Sequence, residues 1–232
     1  SYPEVVVFER ERKKILREIL EVTLYRDVLE RHGVKNIKVL KLMLKGLLSS
    51  TYFSAHKFHN YLKSLGLRVS KNTVYNYMEY FLDSMVVFAL RKYSKSYKDV
   101  EQTIPKIYFV DSGLLAASGI DDQGRLMENA VFLELVRRGF DPAVNLFYLA
   151  VGNKEVDFVL TRGGKVAQLI QVCYDVEDFS TRERELSALV KAGRELRCRD
   201  TLVITWDREE VGEYKNKKVR FVPLWKWLLG RA

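Results

Sequence analysis

E-N-A-V-F-L-E-L (128–135), E-V-D-F-V-L (155–160) and L-I-Q-V-C-Y (169–174) decide how this 232-residue chain folds. The first reads as a helix. Three, four and seven residues beyond Glu128 stand Val131, Phe132 and Leu135, so its carboxylate shares the apolar face. An unpaired charge is costly there, and the residue therefore calls for a partner. Glu134 has Arg137 and Arg138 within helical reach and reads as a surface ion pair. The second and third stretches alternate as strands. Glu155, Asp157 and Val159 share one face, and Leu169, Gln171 and Cys173 share another. Adjacent strands would place Asp157 beside Gln171 and Cys173, with Glu128 completing the cluster from the helix. Cys173 reads as a buried structural thiol.

Working outward, a helix over about 125–138 precedes strands near 145–150, 155–161 and 166–174. A helix near 181–197, strands at 201–206 and 218–222, and a short helix opened by Pro223 complete the chain. The resulting α-β-β-β-α-β order makes residues 111–232 an α/β domain that resembles the restriction-endonuclease-like core.

Upstream the pattern is helical. Residues 8–31 repeat apolar positions with a helical period, and Gly33 stops them. Helices follow over about 36–49, from the Ser54 cap to Gly66, and from the Ser70 cap to about Asp83. V-V-F-A-L-R-K-Y (86–93) and K-I-Y-F-V (106–110) read as two strands around a polar link. Helix, helix, turn, helix and hairpin describe a winged helix-turn-helix over 35–110, preceded by a helical linker over 1–34. The second helix of such a turn enters the DNA major groove N-terminus first. That end presents Lys71, Asn72, Tyr75 and Asn76, with Lys92, Lys95 and Lys98 on or beside the wing as phosphate contacts.

The charge agrees with that reading. Residues 35–100 hold twelve Lys/Arg against three Asp/Glu, whereas the flanks balance at seven of each and twenty of each, so the whole surplus of +9 sits in the middle. A concentrated basic segment fits a polyanion, double-stranded DNA above all. Composition excludes several classes. With 47% hydrophobic and 30% charged residues the chain is a folded one. It has no membrane-spanning run and no signal peptide. Two cysteines, Cys173 and Cys198, form no disulfide framework, so the expected location is the cytoplasm. Abundant Lys and Glu with four Gln lean toward a thermophile. His56 and His59, three apart on the exposed side of their helix, lack a third ligand for zinc and read as solvated.

Phosphodiester hydrolysis would require carboxylates that hold Mg²⁺ or Mn²⁺ and a lysine that stabilises the developing charge. Glu128 and Asp157 are the candidate metal ligands, and the Gln171 carbonyl is a weaker third member of the catalytic set. Cys173 stands where the lysine is expected and brings no positive charge. Lys154 and Lys165 are the possible substitutes.

Together, L-Y-R-D-V (24–28), S-K-N-T-V-Y (70–75), I-Y-F-V-D-S-G-L (107–114), G-R-L-M-E-N-A-V-F-L-E-L (124–135), E-V-D-F-V and L-I-Q-V-C-Y resemble the C-terminal region of archaeal AAA+ ATPases. Those proteins join a P-loop module to a winged helix and a PD-(D/E)xK nuclease-like domain. The resemblance implies a DNA-engaging half of such an ATPase whose nuclease-like domain is degenerate and inactive. Two alternatives stand beside it: an active Mg²⁺/Mn²⁺-dependent endonuclease using Glu128 and Asp157, and a protein-interaction module that regulates the ATPase. No G-x-x-x-x-G-K-[ST] occurs, so ATP hydrolysis would belong to a module outside these residues. That module is an implied partner, with a homo-oligomer as a further possibility.

Overall fold

A computed structural model describes the backbone of all residues except Ser1, Glu177, Asp178, Asn216, Arg231 and Ala232. It describes the side chains of the rest except Tyr97, Glu101, Phe179, Ser180, Thr181, Arg182 and Arg184. In chain order the first elements are α1 (Pro3–Val7), a 3₁₀ turn, α2 (Arg12–Thr23), a π-helical run over Leu24–Glu30, α3 (Ile37–Ser49), α4 (Ala55–Ser64), α5 (Lys71–Asp83) and β1 (Val87–Leu90). Next come α6 (Tyr97–Gln102), β2 (Lys106–Phe109), α7 (Ser112–Ala117) and α8 (Gln123–Arg137). The chain continues through β3 (Leu146–Val151), β4 (Lys154–Arg162), β5 (Lys165–Cys173), α9 (Phe179–Glu195), β6 (Thr201–Thr205), β7 (Glu210–Tyr214), β8 (Lys217–Pro223) and α10 (Leu224–Leu228). No helix among the described residues is long and apolar enough to cross a membrane.

The chain divides into two compact units. The first comprises Ser1–Ala89 and Ile104–Asp121. Its central helices begin where side-chain oxygens satisfy otherwise orphaned backbone N–H groups. Asn36 accepts from Val39 N–H, Ser54 from Lys57 N–H and Ser70 from Thr73 N–H. Gly66, at φ +73°, closes α4 in the left-handed conformation that glycine adopts without penalty. Leu40 and Leu47 of α3, Leu62 of α4 and Val74 of α5 are fully buried and form the helical core. A single antiparallel bridge ties Tyr52, between α3 and α4, to Lys106 of β2, which pairs with β1.

The helical linker expected over 1–34 is an integral part of this unit. Arg17 donates to the Ala117 carbonyl at 2.8 Å. At Gly113 a Cβ would lie 2.8 Å from Asp111 Oδ1 and 2.9 Å from Leu16 Cδ1, so a larger residue would force those side chains to shift where α2 meets α7. This unit extends to Asp121 and includes α7.

The second unit comprises Leu90–Thr103 and Asp122–Ala232. Six strands make a mixed sheet in the order β3-β4-β5-β6-β8-β7. Strands β3, β4 and β5 run antiparallel, β5, β6 and β8 are parallel, and β7 returns antiparallel to β8. The α/β class and the predicted succession of helices and strands along the chain therefore hold. Two features differ. The edge strand β7 was not anticipated, because E-V-G-E-Y has one apolar aliphatic residue, Val211, and leaves it 72% exposed. The run 86–93 also splits: β1 ends at Leu90, and Lys92 makes an isolated parallel bridge to Tyr148 of β3 instead. Tyr93 N–H donates to the Tyr148 carbonyl, and Tyr148 N–H donates to Arg91.

One face of the large sheet packs on α9, where Leu186, Leu189 and Val190 meet Val159, Leu169, Cys173 and Val203. On α8, Phe132 lies 6.5 Å from Phe158 of β4. Glu134 is not a surface residue as expected. It is 7% exposed and chelated by Arg137 and Arg138, and Arg138 also donates to the Trp227 carbonyl and lies 4.0 Å from its ring centroid. The ion pair was legible from spacing. Its burial follows from α10 closing over α8, which the spacing does not encode.

Candidate functional site

In the antiparallel β4–β5 pair, Phe158 stands opposite Ile170. That register puts Asp157 beside Gln171 on one face. Both are almost completely buried, Asp157 at 4% and Gln171 at 2% exposure, so their polar atoms need internal partners. Asp157 Oδ2 accepts from Gln171 Nε2 at 2.7 Å and from Val172 N–H at 2.9 Å. The other Nε2 proton goes to Glu185 Oε2 of α9 at 2.6 Å, while Gln171 Oε1 accepts from Asp157 N–H at 3.3 Å. The backbone donor fixes the orientation of the amide. Its nitrogen then necessarily lies between two carboxylates, and one neutral side chain satisfies both.

These residues line an open cavity of about 600 Å³ together with Gly124, Glu128, Ala150, Gly152, Asn153, Lys154, Glu155 and Val172. Glu128 reaches it from α8, half-buried, so the structure brings Glu128, Asp157 and Gln171 to one site, as the sequence suggests. Arg125, one turn earlier, shares the electrostatics of Glu128: burial lowers the guanidinium pKa, while Asp122 and Glu128 act against that shift. Cys173 is not at the site. It is 3% exposed within the core against α9 and donates to the Asp175 carbonyl, the structural thiol expected of it. Lys154 lines the cavity but hydrogen-bonds Ser187 of α9. Lys165 lies at the opposite end of β5 from Cys173 and is not among the lining residues.

Whether these residues fit a divalent cation is decided by the amide. Gln171 turns its nitrogen, not its oxygen, toward the carboxylates, and an N–H donor occupies the position a cation would need. Among the described residues no three of His, Cys, Asp and Glu come together in a group that could hold an ion. As arranged, the side chains of Asp157, Gln171 and Glu185 do not fit a divalent cation. Glu185 escaped the sequence reading. It lies 14 residues beyond Gln171 on another element, and its one local signal, an acid beside the buried stripe Leu186–Leu189, is shared by many surface glutamates.

In the first unit, α5 exposes Lys71, Asn72, Tyr75 and Asn76 and buries Val74, Tyr77, Met78 and Phe81. The predicted polar face is thus present as a contiguous surface at the helix N-terminus. Lys95 and Lys98 are exposed and Lys92 half-buried, all on the segment that belongs to the second unit. His59 departs from expectation: it is 4% exposed, not solvated, and pairs through Nε2 with the Val69 carbonyl at 3.0 Å. It locks α4 to the turn before α5 and is not available with His56 for zinc.

A family model described as Domain of unknown function (DUF8612) matches residues 1–124, and one described as Domain of unknown function (DUF4143) matches residues 123–227. Their junction falls beside the boundary between the two structural units. Uncharacterized protein MJ1544 of Methanocaldococcus jannaschii is 37% identical over 240 residues, covering 99% of this chain and 53% of the relative. An Uncharacterized protein of Haemophilus influenzae is 27% identical over 185 residues, covering 77% of this chain and 45% of the relative. The chain thus spans about half the length of the curated relatives it matches. No solved structure matches. With 124 of its 232 residues covered by that model, the chain belongs to the DUF8612 family and carries a DUF4143 segment behind it.

Proposed function

We propose that this chain is a duplex-DNA-binding segment of an ATPase-associated protein, with a nuclease-like second unit whose catalytic centre has been replaced by a hydrogen-bonded Asp–Gln–Glu cluster. The observation that carries the DNA reading is the exposed face of α5. Lys71, Asn72, Tyr75 and Asn76 project from a Ser70-capped N-terminus within the basic part of the chain. The order α3, bridge, α4, α5 and two-stranded sheet supports a winged helix-turn-helix. Asn pairs naturally with adenine and Lys adds sequence-independent attraction. The occurrence of DUF4143 in AAA-ATPase-associated proteins supports the link to an ATPase module.

Anisotropy titration with a fluorescent duplex tests this reading. For about four phosphate contacts, affinity should fall on the order of a hundredfold between about 50 and 200 mM salt. Lys71→Glu should weaken binding further and flatten the slope. A salt-independent signal, or no binding at low salt, refutes it.

The endonuclease reading keeps one supporting observation: Glu128 and Asp157 share the cavity. Its test is incubation of duplex, single-stranded and branched DNA with Mn²⁺. On the proposed reading none is cut, and cleavage that disappears in Asp157→Ala establishes the rival.

A further inference from the structure

A second surface of the first unit is independent of the α5 face. A groove of about 560 Å³ runs between α3 and α4, lined by no residue of α5. Its floor is apolar: Phe53 and Phe58 pack at 5.4 Å between ring centroids, flanked by Leu42 and Ile104. Gly46 lets Phe53 pack close against α3, because a Cβ there would come within 3.2 Å of Phe53 Cε2. Tyr52 and Tyr61 form exposed rims, and Lys45 and Lys57 stand at the edge, both exposed. All of its lining except Ile104 comes from one basic stretch. Residues 35–78 include eight Lys/Arg and not one Asp or Glu.

We infer that this groove docks an acidic amphipathic segment of a partner protein, a helix whose apolar side chains enter between α3 and α4 while its carboxylates meet Lys45 and Lys57. The chemistry selects such a partner over a DNA backbone. Phosphodiesters gain nothing from an apolar lining and would leave the exposed Tyr52, Tyr61 and Ile104 in water. A helix laid in a groove by spaced apolar anchors uses both features, and the lysines add attraction and orientation.

The experiment uses the whole ¹⁵N-labelled chain and follows backbone amide shifts. The probe is a synthetic four-turn helical peptide with leucines on one face and glutamates on the other; the same peptide with lysine for each glutamate, and a short duplex DNA, are the comparisons. The acidic peptide should shift the amides of Gly46, Ser49, Ser54 and Lys57, while the basic peptide leaves them in place. DNA should act on the amides of α5 instead. Lys45→Glu with Lys57→Glu should weaken the acidic peptide at least tenfold, and Ser49→Trp, which fills the groove from an exposed position, should abolish its binding with the fold intact by circular dichroism. Silence of the groove amides with the acidic peptide at millimolar concentration overturns the inference, as does equal binding of the basic peptide. DNA shifting the groove amides in place of those of α5 overturns it in favour of a nucleic-acid surface.

Discussion

Replacing Gln171 by glutamate would exchange one nitrogen for one oxygen at the most consequential atom of the second unit. In the native chain Gln171 Nε2 donates at 2.7 Å to Asp157 and at 2.6 Å to Glu185, and the residue is 2% exposed. Each bond to an ionised carboxylate contributes about 1.5–3 kcal/mol, so losing both costs about 3–6 kcal/mol. Repulsion among three carboxylates adds to this at neutral pH. That sum rivals the whole stability of an ordinary domain, on the order of 5–15 kcal/mol. The sign of the pH dependence follows from the same geometry. The crowded carboxylates of Gln171→Glu would hold their protons more tightly in the folded state than in the unfolded one. The variant should therefore regain stability relative to the native chain as pH falls toward 4, where a protonated carboxyl again donates a hydrogen bond. Urea denaturation of both proteins between about pH 4 and 8 measures the difference. A variant as stable as the native chain at pH 7, or a deficit that does not shrink on acidification, refutes the claim that Gln171 serves as the bridging donor. Stabilisation of Gln171→Glu, but not of the native chain, by Mn²⁺ is the companion expectation, since three carboxylates would then offer oxygen ligands.

Arg138→Ala should cost about 2–4 kcal/mol, because it strips one of two cations from the buried Glu134 carboxylate and removes the stacked contact with Trp227; Arg138→Lys, lacking the planar fork, should recover less than half. A loss below about 0.5 kcal/mol in urea denaturation contradicts this. Cys173 and Cys198 are both buried, and burial raises the Cys198 pKa above its ordinary value. At pH 8 a thiol-specific dye should leave both unmodified until denaturant is added, and rapid native labelling of either would show the core to be open. Burial also raises the Tyr214 pKa, with its hydrogen bond to Glu183 acting in the same direction. Both groups keep their protons in the folded state at a pH where the unfolded chain releases them, so stability should decline above about pH 9. A flat alkaline profile would contradict that assignment.

Local periodicity carried much of the reading. Helices α3, α4 and α5 followed from their spacing, α4 and α5 also from their Ser54 and Ser70 caps, and the alternation in β4 and β5 put Asp157 and Gln171 on one face. These properties depend on neighbours within a few residues, which the sequence displays directly. The tertiary structure alone decided what lies across those faces. It brought Glu185 from α9 onto Gln171, buried Glu134 beneath Trp227, turned His59 inward to Val69 and hydrogen-bonded Arg91 and Tyr93 to Tyr148 of β3. Each outcome depends on which element covers a side chain, and no spacing along the chain encodes that. The same distinction separates the two halves of the acidic site. Sequence placed Glu128 and Asp157 as metal ligands by residue type, whereas packing set an amide nitrogen between Asp157 and Glu185, and hydrogen-bond geometry made that nitrogen the groups' common partner.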